Sequence, residues 1–266
     1  MARTFLVLCF LLLGLPAAHA SGTVFLEELT WTELRDLIQS GKTTIIVPIG
    51  GTEQNGTHMA LGKHNLRVRY LSEKIAGALG NALVAPVIAY VPEGALEPPT
   101  GHMRFPGTIT VPEEAFEKIL EYAARSFKAA GFRDIVFLGD HGSTQAGERA
   151  VAARLNREWA ASPVRVHAVE EYYRAATADY DALLKTRGYR TEEIGQHAGL
   201  ADTSLTLALE PRLVRSTSRV EPTAAEASGV EGDPKRASAE LGQLGVDLIV
   251  SKSVSAIRKS IETSKR

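Results

Sequence analysis

TTIIVPIGG, residues 43–51, is a β-branched run that closes on two glycines. A run this short, bounded by turn residues, reads as a buried strand. The polar segment GGTEQNGTHMALGKHN (50–65) overlaps its end, and a helical period takes over from Leu66 to Leu79, with Gly80 as the stop. The alternation then repeats. ALVAPVIAYV (82–91) is strand-like, and Pro112-Glu113-Glu114 opens a helix that runs to about Ala130. Proline suits a first helical turn, and acids suit the positive end of the dipole. DIVFLGD (134–140) is a strand, a helix follows from about Thr144 to Ala161, and VRVHAV (164–169) is a further strand. The remainder is mostly helical, at about 175–187, 202–210 and 234–263. This order predicts an α/β fold, a three-layer α-β-α sandwich with a mostly parallel central sheet. Ligands in such folds sit beyond the carboxyl ends of the strands. GGTEQNG and GDHGSTQ both fall there, and the long Pro/Gly loop 93–110 has the length of a functional loop.

The 266 residues carry a formal charge of −1 and 44% hydrophobic residues. That suffices for a core without staples. No basic stripe stands out, so no nucleic-acid partner is expected. Met1-Ala2-Arg3, the apolar run Phe5–Leu15 and Ala18-His19-Ala20 have the form of a signal peptide over residues 1–20. A membrane anchor is the alternative, but the run is short for a bilayer span. The expectation is export, with a periplasmic location, no membrane contact after cleavage and one domain over 21–266. Cys9 is the only cysteine and lies inside that segment. The mature chain therefore has neither disulfide nor thiolate, and any metal must be held by His, Asp, Glu or Asn.

Six histidines follow residue 20, and five of them (His58, His64, His102, His141, His197) lie beside glycines in loops or at helix starts. Loops on a rigid scaffold carry most catalytic groups. PIGGTEQNGTHMALGKH, GHMRFPGTIT, GDHGSTQ, QHAGLADTSLTLAL and VEGDPKRASAELG, in that order, resemble the successive motifs of the creatininase (creatinine amidohydrolase) family. The resemblance covers the chain from about Trp31 to the C-terminal helix. It implies an α/β sandwich, metal-dependent hydrolysis of cyclic or linear C–N bonds, a small-molecule substrate and a homo-oligomer.

The departures from the family pattern bear on the metal. Members resembling creatininase hold two ions. Glu53 matches the family's glutamate and His141 the histidine of its G-H segment. Asn55 stands where the pattern has histidine, His64 where it has the bridging aspartate, and Ser143 where some members have a carboxylate. A neutral imidazole cannot bridge two cations, and Asn is a poor zinc ligand beside His. Glu53, His64 and His141 remain as a His₂Glu set. That resembles catalytic zinc sites with three protein ligands and an open position for water. The expected cofactor is one divalent ion per chain, zinc with manganese as the alternative; loss of all metal binding is the competing reading.

By the same resemblance His197 is the proton-transfer candidate, with Asn55 a hydrogen-bond partner for water or substrate. Asp202 replaces the family's glutamate as a substrate contact or helix cap. His102 and Arg104 are substrate-binding candidates, the guanidinium suiting an anionic group; a surface ion pair is the plainer role for Arg104. His58 is expected to anchor its loop. Asp140 can orient a ligand histidine if the chain turns there. The functional expectation is an exported metal-dependent amidohydrolase, and the alternative is a non-catalytic small-ligand-binding protein on the same scaffold.

Overall fold

The computed structural model describes residues 22–215 and 225–264. The expected signal peptide, with Cys9, lies outside the described residues. Four strands, β1 (Thr44–Ile49), β2 (Ala82–Val84), β3 (Asp134–Gly139) and β4 (Arg165–Ala168), form one sheet in the order β2-β1-β3-β4. All neighbours are parallel, with Ile45 opposite Leu83 and Ile135, and Val136 opposite His167. Helices α1 (Trp31–Gln39), α2 (Lys63–Leu79), α3 (Glu113–Ala130), α4 (Gln145–Glu158), α5 (Glu170–Arg174) and α6 (Tyr180–Thr186) accompany them. α7 (Thr191–Ile194), α8 (Leu200–Leu209), α9 (Ala225–Ser228) and α10 (Ala239–Ser264) complete the described α-helices.

Side chains on a strand alternate between faces, and both faces are apolar here. Ile46, Val84, Val136 and Leu138 pack with Leu71 and Ile75 of α2, Leu205 of α8 and Ile249 of α10. Ile45, Val47, Leu83, Ile135 and Phe137 pack with Phe116 and Leu120 of α3 and Val151 and Leu155 of α4. This is the expected sandwich, and double-sided burial explains why TIIVPI reads as an unbroken apolar run. Pro48 is tolerated in this central strand because its carbonyl accepts from Ile88 N at 3.0 Å. The missing N–H therefore faces the β2 side, beyond the point where β2 has ended.

Three boundaries differ from the sequence expectation. The 82–91 strand stops at Val84, one residue before the Ala85-Pro86 step, and Ile88 and Val91 make only isolated bridges. The 175–187 helix starts earlier, at Glu170, and carries a π-turn over Ala175–Asp179. Helix α2 begins at Lys63, three residues before its apolar period, because its first turn is polar and buried.

Glu148 is buried in α4 with Oε1 unpaired. Burial raises its carboxyl from 4.5 to about 8. The folded chain therefore keeps a proton that the unfolded chain releases near 4.5, and the resulting stability is lost as pH rises through about 8. Glu148→Gln should remove that contribution. Chemical denaturation at pH 5 and pH 8.5 is expected to show a flatter pH dependence for the variant, by on the order of a few kcal/mol.

Candidate metal centre

The carboxyl ends of β1 and β3 deliver two polar segments to one place: 50–62 after β1, and Asp140-His141 after β3. The first turn of α2, the loop from Glu93 to Thr110 and the segment from Gly195 to Asp202 close around them. Gly51 has φ of 150°, and a Cβ there would lie 2.8 Å from Glu93 Oε1, so only glycine lets the loop pass this carboxylate.

Glu53 is the centre of the site and is fully buried. Its Oε1 lies 2.7 Å from His64 Nε2, 3.7 Å from Lys63 Nζ and 3.8 Å from His197 Nδ1. Its Oε2 lies 3.2 Å from His141 Nε2 and 3.3 Å from His102 Nε2. Burial opposes its charge, but the bonds with His141 and His64 and the charges of His64 and Lys63 outweigh that and hold the carboxyl well below the usual range.

A ring of outer contacts sets the histidines. Asp140 Oδ2 accepts from His64 Nδ1 at 2.6 Å, which turns Nε2 toward Glu53. Asp140 is itself held by Arg67 Nε at 2.8 Å and Tyr172 Oη at 2.7 Å. His141 Nδ1 accepts from Ser143 N–H at 3.2 Å and lies 2.7 Å from Ser143 Oγ, which also reaches the Pro92 carbonyl at 2.5 Å. Its Nε2–H is thereby directed at Glu53 Oε2. His197 Nε2 donates to the Gln54 carbonyl at 2.9 Å, which leaves Nδ1 as an acceptor. The Gln54 amide is fixed by Gly56 N–H on its Oε1 and by its own donation to the Gly229 carbonyl. Its Nε2 therefore donates to His102 Nδ1 at 2.8 Å, and His102 Nε2 carries the proton directed at Glu53. The His102 and His197 rings stack 4.3 Å apart.

Among the described residues two groups of three could hold an ion, Glu53–His64–His141 and Glu53–His102–His197. The first fits a divalent cation. Both histidines turn Nε2 to Glu53 while Nδ1 is occupied elsewhere, and His64, backed by Asp140, has the pattern of an imidazole ligand steadied by a carboxylate. Beside it, both oxygens of Glu93 are buried without a hydrogen bond, and Oε2 lies 3.2 Å from His141 Nε2. In the second group Gln54 likewise donates to His102 Nδ1, and neither of its histidines is backed by a carboxylate, so it fits less well. If Asp140 orients His64 as a ligand, Asp140→Asn should weaken zinc binding by about 10- to 100-fold. Competition with a chromogenic chelator would measure it; unchanged affinity would remove Asp140 from that role.

Most of the residues singled out in the sequence meet here. Asp202 reaches the site through Lys63 Nζ at 3.0 Å and Arg67 Nη1 at 2.7 Å, and it also accepts from Ala198 N. His58 Nε2 contacts Thr203 Oγ1 at 3.0 Å, so it anchors the loop to α8. Two residues lie elsewhere. Asn55 turns its amide to the backbone carbonyls of Glu53 and Ala60, and so braces the loop from inside. Arg104 is exposed and donates to the Gly101 carbonyl within its own turn. Its guanidinium makes no described contact with the cluster. Glu93, Lys63 and Arg67 were not singled out. Glu93 follows a strand-like run into the long loop, and Lys63 and Arg67 stand four residues apart on either side of His64; those were the only signals.

Burial acts first on the protonation of the remaining groups. It pushes Glu93 up to about 8, with neighbouring Glu53 adding to the rise and His141 opposing it. It pushes His197 down to about 3, helped by the Lys63 charge. Asp202 is held well below the usual carboxylate range, because Lys63 and Arg67 overcome its burial. His197 is thus neutral at pH 7, and with Nε2–H committed to the Gln54 carbonyl its Nδ1 must take a proton before it can give one. A cavity of about 320 Å³ opens against His197 and Asp202, walled by Tyr173, Thr177, Asp181 and Gln196. That is the low end of the size range of small-molecule pockets.

The family model described as "Creatininase: Creatinine amidohydrolase" matches residues 27–257. Creatinine amidohydrolase of Pseudomonas putida is 25% identical over 262 residues, 90% of this chain and 98% of that protein. The 3-dehydro-scyllo-inosose hydrolase of Thermotoga maritima is 25% identical over 202 residues, 72% of this chain and 58% of that protein. A solved creatinine amidohydrolase superposes with a TM-score of 0.75 at 25% identity, covering 91% of this chain and 99% of that one. Other solved creatininases, at a TM-score of 0.73, include a manganese form and a zinc–zinc form of a variant. A further variant, also at 0.73, is complexed with creatine.

Proposed function

The chain belongs to the creatininase family, and from that premise we propose that it is a metal-dependent amidohydrolase with one divalent ion on Glu53, His64 and His141. The substrate class is a small amide or cyclic amide, cleaved at a C–N bond. The observation that carries this reading is the buried Glu53 carboxylate with two imidazole Nε2 atoms turned to it at 2.7 and 3.2 Å, each fixed from behind.

Zinc or manganese bound there would supply Lewis acidity toward a carbonyl oxygen and lower the pKa of water. The chain's own groups do the rest. His102 Nε2–H is a donor facing the centre. His197 Nδ1 is an acceptor placed to take a proton from the attacking water. Glu93, buried beside His141 with neither oxygen hydrogen-bonded, is the candidate to give a proton to the leaving nitrogen. His197 then passes its proton on and restores Glu93. The cavity beside His197 has room for a small molecule.

The ligand-binding alternative relied on Arg104 and His102 to hold an anion; Arg104 is exposed and turned to Gly101, and His102 faces the Glu53 carboxylate at 3.3 Å. The hydrolase reading is therefore preferred. Export to the periplasm, argued from residues 1–20, and assembly as a homo-oligomer belong to the same proposal. No helix among the described residues is long and apolar enough to cross a membrane.

The test is elemental analysis of untagged mature protein, followed by assay of creatinine and a panel of small linear and cyclic amides. About one ion per chain is expected, with amine release abolished by chelation and restored by zinc or manganese. No ion after reconstitution would overturn the mechanism.

A further inference from the structure

Lys63 opens α2, and its side chain is 1% exposed. A buried ammonium needs a reason, since burial disfavours its charge. Its Nζ lies 3.0 Å from Asp202 Oδ2 and 3.7 Å from Glu53 Oε1. The same Glu53 oxygen lies 3.8 Å from His197 Nδ1, which is an acceptor because Nε2–H is committed to the Gln54 carbonyl. Two carboxylates and an imidazole lone pair thus converge on one region, and the chain has placed a covalently attached cation among them. Glu53 and His197 also belong to the second group of possible metal ligands, with His102.

We propose that Lys63 is a resident cation: its ammonium stands beside Glu53 where a second metal ion would otherwise be held, and it limits the centre to one ion. The inference rests on the single-ion reading of Glu53, His64 and His141. The physical argument is charge. Glu53, Asp140 and Asp202 are three buried or nearly buried carboxylates, and uncompensated charge is costly there. Arg67 answers Asp140 and Asp202, at 2.8 and 2.7 Å. Lys63 answers Asp202 and Glu53. A divalent ion on Glu53 and His197 would stand a few ångströms from this ammonium, so the two cations exclude each other. Lys63 is thereby a positioning residue. It makes one oxygen of Glu53 serve a fixed charge and leaves His197 Nδ1 free of metal.

The experiment counts ions on purified wild type, Lys63→Met, Lys63→Gln and Lys63→Arg after loading with zinc and desalting, with calorimetric titration of the apoproteins. The wild type and Lys63→Arg are expected to hold one ion. Lys63→Met and Lys63→Gln should hold two, the second weaker and first to leave in mild chelator. A neutral variant that unfolds in chelator should refold when zinc is added, because the second ion replaces the lost charge. Folded neutral variants that still bind one ion would overturn the proposal, as would unfolded ones that zinc does not rescue. A wild type with no ion would instead overturn the single-ion reading itself, and a wild type with two would overturn both.

Discussion

Glu53→Gln is expected to lose the bound ion and at least about a thousandfold in kcat/KM, the largest effect of any single change in this chain. A metal ion contributes several kcal/mol to stabilising the charge of a transition state, and each 1.36 kcal/mol is a factor of ten in rate. Glu53 is also the one anion shared by His64, His141, His102 and Lys63. A glutamine keeps the shape but offers one oxygen without charge, and its NH₂ faces other donors. Zinc content and steady-state hydrolysis should fall together. Thermal denaturation in chelator separates loss of the ion from loss of the fold. A variant that keeps one ion and its activity would remove Glu53 from the centre.

Glu93→Gln should leave zinc content unchanged and lower kcat by about 10²- to 10⁴-fold, the usual contribution of a positioned proton donor. The geometry comes first: both oxygens are buried without a hydrogen bond, and one lies 3.2 Å from His141 Nε2. In the ion-free protein burial raises this carboxyl to about 8. Wild-type kcat should therefore fall as pH rises through the pKa of Glu93. A bound cation favours the carboxylate and moves that limb to lower pH. The variant should lack the limb. The same proton carries a stability signature. The unfolded carboxyl titrates near 4.5 and the folded one near 8, so the ion-free wild type loses stability as pH rises across that interval. Glu93→Gln should flatten this component. A variant with full kcat and an unchanged pH profile would assign the proton to another group.

The fold was legible because its signal is local. TIIVPI and DIVFLG are apolar on both faces, which only a sheet covered on both sides explains. The glycines at 50–51 and 139 mark where the chain leaves the sheet toward the ligand side. The helical period of α2 was read from Leu66, and its polar first turn was missed for a physical reason. Hydrophobic periodicity cannot see a turn buried against carboxylates. Lys63, His64 and Arg67 are that turn, and they supply two cations and one ligand candidate to the site.

The site was legible in part. Four of the five glycine-flanked histidines, His64, His102, His141 and His197, converge within reach of Glu53, and the fifth, His58, holds the loop. Asn55 was read from its place in a motif. In the fold its amide donates to the backbone carbonyls of Glu53 and Ala60, the second of which also accepts from Lys63 N. Glu93 is one of 31 acidic residues, and nothing in its neighbours marks it as the one buried without a partner.

The sequence by itself determined the alternation of strands and helices, the parallel sheet and the loops that hold the chemistry. Those follow from side-chain period and turn residues, which are properties of short segments. Only the tertiary structure decided which nitrogen of each histidine faces the centre, which carboxyl keeps its proton and which cation is buried beside Glu53. Tautomer, protonation and charge pairing depend on groups distant in the chain, 48 residues apart for Gln54 and His102 and 139 for Lys63 and Asp202. Packing alone brings them within a hydrogen bond and removes the water that would otherwise make their differences small.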